Sequence, residues 1–526
     1  MSASDPGRWT SNMKISEDSI KWALKSLEKI GDSDLFARPF ELSIIKDLRD
    51  IATSRLASLD ISDFSYGPAR RFIVPKDDLS YRTASQLDPL NSIILTALIY
   101  EYGELIESKR RSTDEKKVFS YRFAPKDDGQ LYDSVNSWND FWSTCYKKSE
   151  SYSHAVILDI ADYYNQIYHH SLENQLIEAG LPNQVTKWIV GLCGALTAKV
   201  SRGIPVGPHA SHLLAESVLS PVDNVLIHQG TDFCRYVDDI VIFCNSEIEA
   251  RSKILSLANT LDKQQKLQIQ RHKTQIMDRA KFLDFCLGMM EDRPINDLER
   301  DLVHIIKKHS HGDPYRSIWI SDLSDDELSH FRPDIIETII KDYLDKPEPD
   351  YIRLRWFIRR LAQIGHPAGV NVLLKKFSKI LPALSEVCRY FLAVSQNADL
   401  DWDNIGQDLL SFFNNEIIQS NEYYQLSILS LFSAQEKFDN LPSILNLYQK
   451  ASPYLRREII LCAAKHNATD WIRELKEIFP NMDLWNRRAF IYASSMFPPE
   501  ERKFFLKNIN ISDLIEEFVI KWIKTN

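Results

Sequence analysis

Glycine is scarce, 16 of 526 residues, or about 3% against a usual share of about 7%. A turn-rich all-β chain is thereby disfavoured and helices are favoured. The seven cysteines, Cys145, Cys193, Cys234, Cys244, Cys286, Cys388 and Cys462, are odd in number, scattered and never in a CxxC pair. This excludes a disulfide framework and points to reduced thiols in a cytoplasm. No uncharged apolar run approaches the roughly 18 residues a bilayer span needs, and MSASDPGRWTSNMK has no apolar signal core. A cytoplasmic protein with no membrane partner is expected. Excess positive charge is also missing: Lys+Arg 64 against Asp+Glu 73 gives a net −9, so any polyanion must be held by a local patch.

The length allows two to four domains. In the first half, strand-length apolar runs at 154–160 (HAVILDI) and 240–244 (IVIFC) alternate with amphipathic stretches such as 92–107, which reads as α+β. After about Pro294 the strand signals stop. RLRWFIRRLAQIG (353–365), HPAGVNVLLKKFSKI (366–380) and LPALSEVCRYFLAVS (381–395) follow one another as short helices with tight turns. This is the texture of an all-α HEAT-like helical repeat, with an irregular bundle as the alternative. Boundaries are expected at 1–60 for a helical extension, 61–290 for the α+β region and 291–526 for the repeat.

Charge is uneven once counted locally. Residues 351–380 hold seven Lys/Arg and no acid, and 251–281 hold eight against Asp262 and Asp278. Arg355, Arg359, Arg360 and Lys375 are the candidates for nucleic-acid contact in the first window. Arginines in helical repeats also pair with acids of the next repeat, and that reading stays open.

FCRYVDDIVIFCN (233–245) places Asp238 and Asp239 at a turn between two apolar strands. Adjacent carboxylates so close to buried strands need a cation to offset them. HAVILDIADYYNQIY (154–168) ends another buried strand in Asp159. Carboxylates from separate strand ends can share two Mg²⁺, with Mn²⁺ as a substitute, in the arrangement that transfers nucleotidyl groups. The histidines of HH (169–170) and HxxH (209–212) lack companions at zinc spacing and read as non-metal.

With these residues the chain resembles the reverse transcriptases. Tyr236-Val237-Asp238-Asp239 looks like their YxDD motif, Asp159 with Tyr164 like motif A, and Gly203-Ile204-Pro205-Val206-Gly207-Pro208 followed by HASHLLAE like motif B. LQIQRHKTQI (267–276) resembles motif D, KFLDFCLG (281–288) motif E, and RRFIVPKDDLSYR (70–82) the fingers motif. The resemblance implies right-hand polymerase fingers and palm over 61–290. It implies Asp159, Asp238 and Asp239 as catalytic metal ligands and Lys273 as proton donor near the leaving pyrophosphate. Lys76 and Arg82 would hold the triphosphate, Pro205 and Gly207 would border the nucleotide, and Tyr164 would exclude a ribose 2′-OH.

Where related enzymes carry Gln-Gly-Ser-Pro, this chain has Val206-Gly207-Pro208-His209, which puts strict templating in doubt. The form GIPVGPHASHLLAE, VFSYRF at 118–123 and the helical tail resemble the bacterial abortive-infection and other defence reverse transcriptases. That likeness implies dNTP substrates, a single-stranded DNA product, antiphage defence and homo-oligomers. Priming from a nucleic-acid or protein hydroxyl, and a noncoding RNA as template or scaffold, both stay open. An RNA polymerase, or a binding module with an inert palm, are the alternatives. Tyr164 argues against the first and the retained aspartates against the second.

Overall fold

A computed structural model describes residues 13–133, 137–290, 295–311 and 316–525. The leader reading of residues 1–12 and the boundary near Pro294 lie outside the described residues. Two compact units form, one from residues 1–33, 42–69 and 85–291, the other from 34–41, 70–84 and 292–526. Residues 34–41 and 70–84, which a linear division gives to the extension and the fingers, are therefore part of the mostly helical unit.

In the first unit β3 (His154–Leu158), β4 (Phe233–Tyr236), β5 (Asp239–Cys244) and β6 (Gln275–Asp278) make an antiparallel sheet in the order β4-β5-β3-β6. One face is sealed by Phe141, Trp142 and Cys145 of the Ser137–Ser149 helix and by Phe282 and Cys286 of the Arg279–Met289 helix. The Glu247–Gln265 helix also packs on β3 and β5. Burial of Ile240 through Cys244 without alternation explains why β5 is a continuous apolar run rather than a two-residue repeat. The register pairs Leu158 with Ile240 and Tyr236 with Asp239. The chain therefore reverses through Val237 and Asp238, beside the end of β3.

In the second unit the helices Tyr351–Ile364, Leu384–Asn397, Glu422–Ala434, Pro453–Lys465, Leu484–Ala493 and Leu514–Thr525 pack each on the next. The hairpin of β1 (Arg70–Pro75) and β2 (Tyr81–Gln86) docks on this array over 70–84. Phe72 packs with Tyr423 and Tyr454. Arg355 donates to the Lys76 carbonyl at 2.9 Å, and the Tyr351 hydroxyl donates to Asp78 at 2.7 Å. Among the described residues no helix is long and apolar enough to cross a membrane, and all seven cysteines are buried and free.

Candidate active site

Two strand ends meet at the sheet's edge. Asp159 follows β3 and Asp239 opens β5, one position beyond the Leu158–Ile240 pair. The segment after β3 is zipped onto residues 268–273. Ile160 bridges Ile269, Ala161 N–H donates to the Gln268 carbonyl at 2.8 Å, and Gln270 N–H donates to the Asp159 carbonyl at 2.7 Å. This zipper delivers Lys273, whose Nζ lies 3.0 Å from Asp159 Oδ2.

The electrostatics of the site follow from crowding. Burial, then the charges of Asp238 and Asp159, push the Asp239 carboxyl up to about 7, with Lys273 opposing. Burial works against the Lys273 ammonium, but the hydrogen bond and charge of Asp159 with the charges of Asp239 and Asp238 outweigh it, so its pKa stands above the ordinary lysine value. The structure thus brings together Asp159, Asp238, Asp239 and Lys273. Among the described residues no group of three His, Cys, Asp or Glu is closed enough to grip a metal ion. Like charges repel, and the Asp159 carboxylate is turned to Lys273. The donor set nevertheless fits Mg²⁺: carboxylate oxygens alone, in a site where a divalent cation would offset the burial and the repulsion that together raise Asp239. Reverse transcriptases use divalent metal ions, typically Mg²⁺.

The turn carrying Asp238 is held from beneath by groups the sequence reading missed. Val237 has φ of +54°, a left-handed conformation that a β-branched residue adopts only under constraint. Its N–H donates to Ser120 Oγ at 2.8 Å, and its carbonyl accepts from Arg235 Nη1 at 2.9 Å. Arg235, 1% exposed, grips Asp223 with two bonds of 2.8 and 2.6 Å and lies 3.1 Å from Glu216. Glu216 in turn accepts from Arg110 at 2.8 Å and from the Ser120 hydroxyl. Burial opposes the Arg235 charge, yet Asp223 and Glu216 hold it protonated well above the usual guanidinium range. Burial likewise opposes the Glu216 charge, and Arg235 and Arg110 keep its carboxyl below the usual range. A lone Arg inside FCRYV and a lone Glu inside HLLAESVL were the available signals, because a charge in an apolar run implies a buried partner.

The two tyrosines of motif A have separate placements. Tyr163 is 2% exposed and donates to the Ala215 carbonyl of the Ser211–His228 helix, a core anchor. The Tyr164 hydroxyl lies 2.7 Å from His212 Nδ1, and the Tyr121 ring stacks on His212 with centroids 3.9 Å apart. Burial, then His209, push the His212 imidazole down to about 3, so a neutral ring seats Tyr164. Burial, then Tyr121, raise the Tyr164 phenol well above its ordinary value. In motif B the Ile204 N–H donates to the Tyr164 carbonyl at 3.0 Å and Pro205 is buried. Gly207 has φ of +127°, and a Cβ there would stand 3.0 Å from Ser33 Oγ and 3.3 Å from the Ser85 carbonyl. Only glycine fits that bend without displacement.

Lys76 and Arg82 lie in the other unit, Lys76 exposed and Arg82 partly buried. Of the basic candidates there, Arg359 and Arg360 line one cavity, Arg355 is bonded to the Lys76 and Pro382 carbonyls, and Lys375 is exposed. Arg359 pairs at 2.8 Å with Glu386 of the Leu384–Asn397 helix, which is one of the two readings left open for these arginines.

Residues 74–287 match the family "Reverse transcriptase (RNA-dependent DNA polymerase)", about two fifths of the chain. No curated protein matches. Among solved structures, telomerase from Candida albicans in complex with a TWJ fragment of telomeric RNA is similar over 74% of this chain and 71% of that one, at 11% identity and a TM-score of 0.31. The likeness is too slight to bear on activity. The family match falls on the strands, turn and carboxylates described above, and the protein thus carries a reverse transcriptase domain, the domain of an RNA-directed DNA polymerase.

Proposed function

We propose that this protein synthesises DNA from dNTPs at the site formed by Asp159, Asp238 and Asp239, in bacterial antiphage defence of the abortive-infection type. The observation that carries the catalytic part is the meeting of Asp159 with the Val237–Asp238 turn at one sheet edge, where burial, then the charges of Asp238 and Asp159, raise Asp239 to about 7. Asp159 and Asp238 would hold two Mg²⁺, with Asp239 supporting from the strand. When bound, the metal pair activates the attacking hydroxyl and offsets charge at the leaving pyrophosphate. Lys273, kept protonated beside Asp159, is suited to give a proton to that leaving group. The Tyr164 ring, fixed by His212, fills the place of a ribose 2′-OH. Pro205 and the Gly207 bend border the nucleotide.

The defence assignment is supported by the form of motif B, by VFSYRF at 118–123 and by the helical unit. Helices beginning at 351, 384, 422, 453, 484 and 514 that pack in series support a HEAT-like repeat as the domain after the fingers and palm. Arg359 and Arg360 with Arg355 and Lys375 give that domain a basic face for RNA, as template or scaffold. Homo-oligomers, a cytoplasmic location and a nucleic-acid or protein hydroxyl as primer complete the reading. The test is incubation of the purified protein with labelled dNTPs or NTPs, Mg²⁺ and a primed RNA template. Polymer made from dNTPs supports the proposal. Incorporation of NTPs alone, or of neither, overturns it. Labelled DNA that stays with the protein through denaturation and is released by protease identifies a protein primer.

A further inference from the structure

The segment VFSYRF (118–123) runs beside β4. Val118 bridges Arg235 in parallel, the Phe119 N–H donates to the Arg235 carbonyl at 3.1 Å, and the Arg235 N–H donates to the Lys117 carbonyl at 2.7 Å. The next two residues serve different partners. Ser120 accepts from the Val237 N–H at 2.8 Å, under the turn that carries Asp238. Tyr121 lays its ring flat on His212, with centroids 3.9 Å apart and planes 5° apart.

Tyr121 has φ of +43°, an outlier for a bulky residue that persists only where the surroundings fix it. Arg110 fixes it, donating to the Ser120 carbonyl at 2.6 Å and to the Tyr121 carbonyl at 2.8 Å. The backbone on either side of His212 is pinned as well: the Tyr132 hydroxyl donates to the His209 carbonyl at 2.7 Å and accepts from the Leu213 N–H at 3.1 Å. Tyr132 also packs on Tyr121, with centroids 5.2 Å apart. The imidazole so held meets the Tyr164 hydroxyl at 2.7 Å. Tyr121, Tyr164 and His212 are each partly exposed, so the stack is reachable from solvent rather than sealed in the core.

A wall rejects an added hydroxyl only as far as it resists turning aside. An unheld tyrosine ring yields about its side-chain torsions at a cost worth about tenfold in preference. Tying its hydroxyl to a stacked imidazole adds about one neutral hydrogen bond, a further two- to tenfold or so. We infer that Tyr121 and His212 are positioning residues for sugar choice: their stack holds the Tyr164 ring against a ribose 2′-OH, and the segment 118–123 thereby serves both the catalytic turn and nucleotide selection. The inference rests on the reading of Tyr164 as the sugar-facing residue.

The test is the ratio of Kd for labelled dATP and ATP, measured with the full chain in Mg²⁺ by equilibrium dialysis, which needs no turnover, beside incorporation of both by the same preparations. His212→Leu and Tyr121→Leu, each with wild-type circular dichroism, should narrow the preference for dATP about two- to tenfold. Tyr164→Phe, which keeps the ring and cuts only its bond to His212, should narrow it similarly and leaves the stack in place. Tyr121→Phe, which keeps the stacking ring, and Ser120→Ala, which loosens the turn alone, should stay within about twofold of wild type. In a Tyr164→Gly background the leucine variants should shift the ratio no further, because the stack acts through that ring. The inference is overturned if Tyr164→Phe and the leucine variants keep the wild-type ratio, if the leucine variants shift it equally without Tyr164, or if Ser120→Ala shifts it as far. A ratio changed by Tyr164→Gly but not by the leucine variants leaves the Tyr164 reading intact. The expected shifts in binding without any incorporation would remove the polymerase reading alone, and a wild-type chain that binds neither nucleotide, or both equally, overturns the inference.

Discussion

Replacing Arg235 by Met tests how the Asp238 turn is held. The change removes both hydrogen bonds to Asp223, the contact with Glu216 and the bond to the Val237 carbonyl. Glu216 keeps Arg110 and Ser120, whereas Asp223, 2% exposed, loses its guanidinium. Taking one partner from a buried ion pair costs about 3–5 kcal/mol, because the remaining charge is stranded in low dielectric. At about 1.4 kcal/mol per decade, amide exchange governed by local opening should accelerate by about two to three and a half orders of magnitude. Hydrogen exchange read by mass spectrometry on peptides covering 233–244 measures this directly, up to the ceiling set by global unfolding. The double variant Arg235→Met/Asp223→Leu removes the stranded carboxylate and should recover at least half of the lost protection on a logarithmic scale. Exchange in Arg235→Met within threefold of wild type would refute the reasoning. Failure of the double variant to recover would show that lost packing, not charge, is the cause.

Two further outcomes follow from the Tyr164 environment. The folded His212 value of about 3 lies below the ordinary value of about 6.5, so the unfolded chain binds the extra proton between them. The stabilising contribution is complete above about pH 6.5 and is lost as pH falls toward 3. His212→Phe should therefore lose less Tm between pH 7.5 and 4.5 than wild type in a thermal melt, and an equal loss would contradict a buried neutral ring. Tyr164→Gly should raise NTP incorporation relative to dNTP by about tenfold or more, one lost steric contact being worth at least about 1.4 kcal/mol. Unchanged sugar preference in competition assays would remove Tyr164 from that role.

Much of the palm was legible because its signals are local. β3 stands out as an apolar run followed by aspartate and β5 as one preceded by aspartate, and the helices at 351–364 and 384–397 show the apolar spacing of one buried face. The docking of 70–84 on the helical unit was not legible. It depends on contacts such as Asn421 with the Ile73 carbonyl and Tyr351 with Asp78, which join residues hundreds of positions apart and leave no periodic trace. The clamp under Val237 was hidden for a related reason: Glu216 and Asp223 stand two turns apart on the Ser211–His228 helix, but Arg110, Ser120 and Arg235 come from other segments, and each alone looks like an isolated polar residue. His212 was read only as one of the non-metal histidines of HxxH, and its stacking on Tyr121 and contact with Tyr164 are what reveal its partners.

The most direct test of the central claim is a side-by-side measurement of labelled dNTP incorporation by wild type and Asp238→Ala in Mg²⁺, with folding of both confirmed by circular dichroism. The account predicts polymer from wild type and a rate lower by more than about a hundredfold in the variant, since several kcal/mol of transition-state stabilisation depend on that carboxylate. Incorporation by Asp238→Ala at the wild-type rate would contradict it.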